Sequence, residues 1–101
     1  MSKELVLFPS AETDIQRGFN YYEDASEGCG HEFLLHIESG FAFMQSFPEG
    51  SPQFHRQFRR LLIAKFPYGI FYVNEPSRIV VLAVLDLRQS PEAIIERLEQ
   101  Y

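Results

Sequence analysis

Two histidines in "HEFLLH", His31 and His36, are the first residues that could do chemistry here. A zinc-protease helix needs two histidines four residues apart, so that both reach one metal from one face. A separation of five turns them about 140° apart. The pair reads as ordinary surface histidines, and His55 stands too far off to complete a site. No metal or cofactor is expected. Glu23 and Asp24 in "YYED" are adjacent carboxylates, but neighbours on a helix do not face each other, so they read as a solvated helix end. Cys29 is the only cysteine and cannot form an internal disulfide. A reactive thiolate needs a basic neighbourhood, whereas Glu27 and Glu32 lie close to it. A reducing, cytoplasmic setting is the expectation.

The cluster with the best prospects is basic. Residues 55–65, "HRQFRRLLIAK", hold Arg56, Arg59, Arg60 and Lys65 and no acid, and Arg88 follows a later apolar run. On an extended strand Arg60 points away from Arg59 and Lys65, so one face carries Arg59 with Lys65. Such cations suit a phosphate backbone or an acidic partner segment. The plainer reading is an edge strand whose charges block sheet-to-sheet association. No Gly-rich phosphate loop, Walker sequence or nucleophile elbow accompanies them.

The elements that must position these residues follow from periodicity. "ELVLF", residues 4–8, reads as a short strand ended by Pro9. Ser10 is a plausible N-cap, with Glu12 in the first turn where a carboxylate favours the helix dipole. Ala11, Ile15, Phe19, Tyr22 and Ala25 recur at steps of three and four, one helical face. Gly28 and Gly30 break this helix, and Phe33, Ile37, Phe41 and Met44 form the stripe of a second. Pro48, Gly50 and Pro52 end it. Strands are expected at residues 58–66, 68–74 and 78–87, the last a nearly unbroken apolar run typical of a strand covered on both faces. Ser90, Pro91 and Glu92 make a strong helix start. The expected order is β-α-α-β-β-β-α, an α+β fold with a helical hairpin packed on a mainly antiparallel sheet.

Composition agrees with one domain over residues 1–101: the hydrophobic share is 46%, and ten Phe with five Tyr supply bulk for a core. No run approaches the ~20 apolar residues of a membrane helix, and "MSKELVLF" lacks the pattern of a signal peptide. The net charge of −5 is uneven: −7 over residues 1–54, +4 over 55–65 and −2 over 66–101. Such acidity opposes non-specific nucleic-acid binding, which depends on neutralising phosphates. It leaves room for one local basic patch.

Taken in order, "AETDIQRGFNYYEDAS", "GHEFLLHIESGFAFMQSFPEGSP" and "FRRLLIAKFPYGIFYVNEPSRIVVLAVLDLRQSP" resemble the RelE/ParE superfamily, the toxin half of bacterial type II toxin–antitoxin modules, over nearly the whole chain. The "FPY-x-I-x-Y" step and the "VLAVL-x-x-R-x-x-P" ending are similar to the ParE-like branch. That resemblance implies a toxin that binds DNA gyrase and is neutralised by a cognate antitoxin, whose helix lies on the hairpin and whose strand lies against the sheet edge. The implied antitoxin contacts are Phe19, Tyr22, Phe33, Ile37 and Phe71, although aromatics such as Tyr68, Phe71 and Tyr72 also suit a core. Apolar surface awaiting a partner implies a homodimer when antitoxin is absent. The implied target-binding residues are Arg59, Arg60, Lys65, Asp86 and Arg88. Two alternatives stand beside this reading: a non-toxic member that only binds an antitoxin, and a RelE-like ribosome-dependent mRNA endonuclease.

Two positions depart from the family pattern. Gly69 stands where the family usually places an arginine, in "FPYRI", so charge and reach are both missing. Asp86 stands where ParE-like sequences commonly carry histidine, which removes a proton donor and adds a negative charge. Cleaving RNA needs a base, an acid and cationic support for the developing charge. Asp86 or Glu75 could serve as the base, but no general acid is evident, so no catalytic residue is assigned.

Overall fold

A computed structural model describes residues 3–101. Its elements are β1 (Glu4–Leu7), α1 (Pro9–Ala25), α2 (Cys29–Ser46), β2 (Gln53–His55), β3 (Phe58–Leu62), β4 (Tyr68–Asn74), β5 (Arg78–Asp86) and α3 (Pro91–Leu98). The order is therefore β-α-α-β-β-β-β-α, with one strand more than the sequence suggested. That strand, β2, is three residues long and pairs antiparallel with β3 at Gln53–Arg59 and His55–Phe58. The sheet runs β1-β5-β4-β3-β2, antiparallel except where β1 lies parallel to β5.

The strand expected over 58–66 stops at Leu62. Beyond it Lys65 takes a φ of 70°, a left-handed conformation that ends strand pairing. Lys65 therefore leaves the strand, and the expected sharing of one strand face with Arg59 does not occur.

The sheet is covered on both faces. The hairpin of α1 and α2 buries Ala11, Phe33, Ile37 and Met44 against Ile70, Tyr72, Ile79, Val81 and Val84. On the other face α3 lays Ile94 and Leu98 on Phe71, Val80, Leu82 and Leu85. Side-chain alternation in β5 is interrupted once. Phe71 pairs with Ala83 and Tyr72 with Val81, so Leu82 is an extra residue and joins Ala83 on the α3 face. A bulge of this kind bends the strand locally.

Helix α1 starts two residues earlier than expected, with Phe8 at the cap and Pro9 in the first turn. Ser10 is not the cap; its Oγ donates to the Leu82 carbonyl at 2.9 Å. In α3 the expected cap holds, with the Ala93 N–H donating to Ser90 Oγ at 3.2 Å.

The first helix ends at Ala25, ahead of both glycines expected to break it; Gly28 caps α2 with a φ of 87°, and Gly30 lies inside α2. A Cβ at Gly30 would come within 2.8 Å of the Phe19 carbonyl oxygen, so only glycine lets the two helices pass this closely. The corner is sealed by Glu23, whose carboxylate accepts from the N–H groups of Gly28 and Gly30, each at 3.0 Å. These bonds, the Gly28 one first, hold the Glu23 carboxyl below its ordinary pKa. In Glu23→Gln the charge-assisted acceptor is gone, and the Gly28 and Gly30 amides are expected to exchange with solvent faster than in the parent chain. Unchanged protection factors in a hydrogen-exchange measurement would show that the turn holds without it.

Candidate functional site

The proposed cations do not form one strip. Arg59 lies on the hairpin side of β3, where its Nη1 donates to the Ser51 carbonyl at 2.7 Å and the Glu49 carbonyl at 3.4 Å. It ties down the loop after α2. Tyr72 helps, donating from its hydroxyl to the Pro48 carbonyl at 2.9 Å. Arg60 points to the opposite face, as its place in the strand predicts, with its guanidinium 4.9 Å from the centre of the Phe54 ring. Lys65 reaches Glu32 at 3.5 Å across solvent. Arg56 meets Glu99, which caps the end of α3, at 3.7 Å.

Left-handed backbone at Lys65 is strained for a residue with a Cβ, by about 1–3 kcal/mol. The exposed pair with Glu32 offsets little of this, since such pairs contribute about 0–1 kcal/mol. Lys65→Gly is therefore expected to stabilise the fold by about 0.5–1 kcal/mol after the added freedom of the unfolded chain is counted. In urea titrations the midpoint should rise with an unchanged slope; a lower midpoint would mean that the ion pair outweighs the strain.

Gly69 sits on the α3 side of β4 with its neighbours already filling its place. An added Cβ would lie 3.1 Å from Leu87 Cδ2, 3.2 Å from Arg60 Cγ and 3.4 Å from the Phe71 ring. A larger residue would have to displace Leu87 and the Arg60 stem.

Asp86 and Arg88 form a closed pair at the end of β5. Arg88 Nε donates to Oδ1 at 3.0 Å and Nη2 to Oδ2 at 2.6 Å, while the Arg88 backbone N–H donates to Oδ1 at 2.9 Å. Side-chain bonding to Arg88 is the main cause holding the Asp86 carboxyl below its ordinary value of 3.8. The contribution of the pair is thus present above that value and is lost as pH falls through the depressed one. A carbon-13 titration of the Asp86 carboxyl should give a midpoint below 3.8, returning towards it in Arg88→Gln. A midpoint unmoved by that substitution would remove the pair as the cause.

Around this pair stand aromatics that sequence reasoning read only as core or partner contacts. Tyr22 of α1 and Tyr68 of β4 pack 6.0 Å apart, with Phe66 4.7 Å from Tyr22 and Phe33 5.0 Å from Tyr68. Burial pushes both phenols above their ordinary value of 10, with Asp86 adding to the rise and Arg88 opposing it. Both therefore stay protonated near neutral pH. Beside them a groove of about 270 Å³ opens between α1 and α3, lined by Asp14, Arg17, Tyr68, Asp86, Gln89 and Arg97.

The expected antitoxin contacts divide. Phe33, Ile37 and Phe71 are fully buried and belong to the core, so they cannot meet a partner. Half-buried Tyr22 belongs to the aromatic cluster. Phe19 lines a second groove, of about 200 Å³ on the outer side of the hairpin, with Ile15, Gln16, His31 and Leu34. The exposed apolar side chains of α2 include Leu35 and Phe43, which were not singled out from the sequence. His31 packs on Phe19 and His36 on Phe66, so the two histidines diverge as their spacing implies.

No family model and no curated protein matches this chain. Solved structures do. It superposes on a chain of the chromosomal ParDE toxin–antitoxin system of P. aeruginosa with a TM-score of 0.76 at 14% identity, covering 86% of this chain and 98% of that one. It also superposes on a mutant of E. coli toxin RelE in the free state with a TM-score of 0.56 at 12% identity, covering 99% and 98%.

The chain has the RelE/ParE fold.

Of these two neighbours, the ParDE chain superposes more closely. Within the RelE/ParE fold the helical hairpin, five-stranded sheet and closing helix account for every element described above. The short β2 accounts for the strand that the sequence reading left out. Among the described residues, no helix is long and apolar enough to cross a membrane.

Proposed function

We propose that this chain is the toxin half of a type II toxin–antitoxin pair, ParE-like in acting by binding, with DNA gyrase as its target. The observation that carries this reading is the state of the ionisable groups at the end of β5. Asp86 is committed to Arg88 through two side-chain bonds and a backbone bond. The neighbouring phenols are held protonated, and a glycine crowded by Leu87 and Arg60 stands where the family carries its arginine. A general base must be free to take a proton, and a general acid must have a pKa near the working pH. These groups grip better than they exchange protons. The antitoxin contact is assigned to the outer groove of the hairpin, where Phe19 joins Ile15 and Leu34. The setting is cytoplasmic.

Inducing the chain in E. coli without an antitoxin tests the proposal. A binding toxin should raise the DNA-damage response and leave messages intact, and the purified chain should inhibit gyrase supercoiling. An immediate stop in translation with cleaved messages would instead establish the endonuclease reading. One observation favours a second outcome: Arg88 is already neutralised by Asp86. Unimpaired growth together with antitoxin binding would identify a non-toxic member of the fold.

A further inference from the structure

The groove between α1 and α3 has a charge ledger that leaves one cation over. Arg97 Nη2 donates to Asp14 Oδ2 at 2.7 Å, and Arg88 meets Asp86 at 2.6 Å. Each of these pairs is neutral in sum. Arg17, exposed on α1 and lining the same groove, makes no hydrogen bond or ion pair among the described residues. The Tyr68 hydroxyl also has no hydrogen-bond partner among them, and burial keeps it protonated. Gln89 spends one amide hydrogen on the Asp86 carbonyl, at 3.0 Å, and keeps the other. The unspent groups around the groove are therefore mainly donors, one of them a full positive charge, which is the chemistry of an oxyanion site.

We propose that this groove takes a single carboxylate, carried on an Asp or Glu side chain of a protein partner and anchored on Arg17. Size and charge select that occupant. At about 270 Å³ the groove is smaller than the roughly 300–1,000 Å³ typical of small-molecule pockets. It admits the head of a side chain rather than a cofactor. A nucleic-acid strand brings many negative charges along a hairpin that lies within residues 1–54, a stretch carrying −7. One carboxylate meets Arg17 locally and avoids that repulsion, which decays over about 10 Å in ordinary salt. The inference rests on the toxin reading only for the identity of the partner.

The test is a nitrogen-15 NMR titration of the full chain with blocked glutamate, blocked glutamine, inorganic phosphate and a single-stranded oligonucleotide. Blocked glutamate should shift the Arg17 Nε–H and the Gln89 side-chain amide, with an affinity on the order of millimolar. Blocked glutamine should leave them unmoved. In Arg17→Gln the Gln89 response should weaken about tenfold, the loss of a charge-assisted bond. Arg17 is exposed, so this variant keeps the fold. An equal response to blocked glutamine, a Gln89 response undiminished in Arg17→Gln, or tighter binding of phosphate or oligonucleotide than of glutamate would overturn the proposal. A negative gyrase assay leaves this result standing, and a failed titration leaves the gyrase result standing.

Discussion

Replacing Asp14 by alanine is expected to destabilise the fold by about 3 kcal/mol, the largest loss from any single charged residue in this chain. Asp14 is 6% exposed, and its Oδ2 accepts from the Val84 N–H at 3.0 Å and from Arg97 at 2.7 Å. The reason lies in the sheet. β1 ends at Leu7, while β5 runs on to Asp86, so the edge of β5 loses its strand partner part-way. The first turns of α1 take over: the Phe8 N–H donates to the Val81 carbonyl, Ser10 Oγ to Leu82, and Asp14 accepts from Val84. Alanine at 14 leaves a buried N–H without an acceptor and a half-buried Arg97 without its counter-ion. Unsatisfied buried groups cost about 1–3 kcal/mol, more when charged. Chemical denaturation checks the figure. Arg97→Met in turn strands the buried Asp14 carboxylate without its counter-ion. Asp14→Ala combined with Arg97→Met should therefore lose less than the two single losses added together, because no charge is then left unpaired. A loss below about 1 kcal/mol in Asp14→Ala would show that water reaches Val84 and Arg97 freely.

This residue also shows where sequence reading stops. The stripe Ala11, Ile15, Phe19, Tyr22 was legible because apolar side chains recur at helical spacing, but the deepest positions of α1 include Asp14 and Gly18. A charged residue and one without a side chain carry no hydrophobic signal, so the true inner face was read one step out of place. On α2 the stripe was right at Phe33, Ile37 and Met44, and only the buried Gly30 and Gly40 between them went unread. The helical hairpin, β4, β5 and α3 were legible for the opposite reason: long apolar runs and a Ser-Pro helix start repeat one message over many residues. β2 carries no such repetition in three residues, and nothing in "IAKFPY" announces the left-handed turn at Lys65. The site was half legible. Arg88 came from the count of bases and Asp86 from the resemblance. Arg17 of α1, by contrast, lies far in sequence from Gln89, in the turn after β5, and Arg97 of α3, and they meet only once the sheet edge is closed.

Gly18 sets the second large effect. A Cβ there would lie 2.6 Å from Phe33 Cζ and 2.7 Å from Cε2, well inside van der Waals contact. The Phe33 ring cannot retreat, since it is fully buried with Tyr22 and Phe66 each 5.4 Å away and Tyr68 at 5.0 Å. Overpacking of this kind costs about 1–3 kcal/mol. Alanine recovers about 1 kcal/mol of that through better helix propensity than glycine. Gly18→Ala should therefore lose about 1 kcal/mol and Gly18→Val about 3 kcal/mol, because valine adds bulk and keeps little of the propensity gain. The consequence reaches the groove, because Phe33 is what holds Tyr68 beside Asp86. In Gly18→Val the titration of Gln89 by blocked glutamate should weaken along with stability. Trimming the ring decides whether the clash is the cause: Phe33→Leu combined with Gly18→Ala should lose less than the two single losses added together, since each makes room for the other. Strict additivity would mean that α1 and α2 move apart as rigid bodies, and that Phe33 does not transmit the strain.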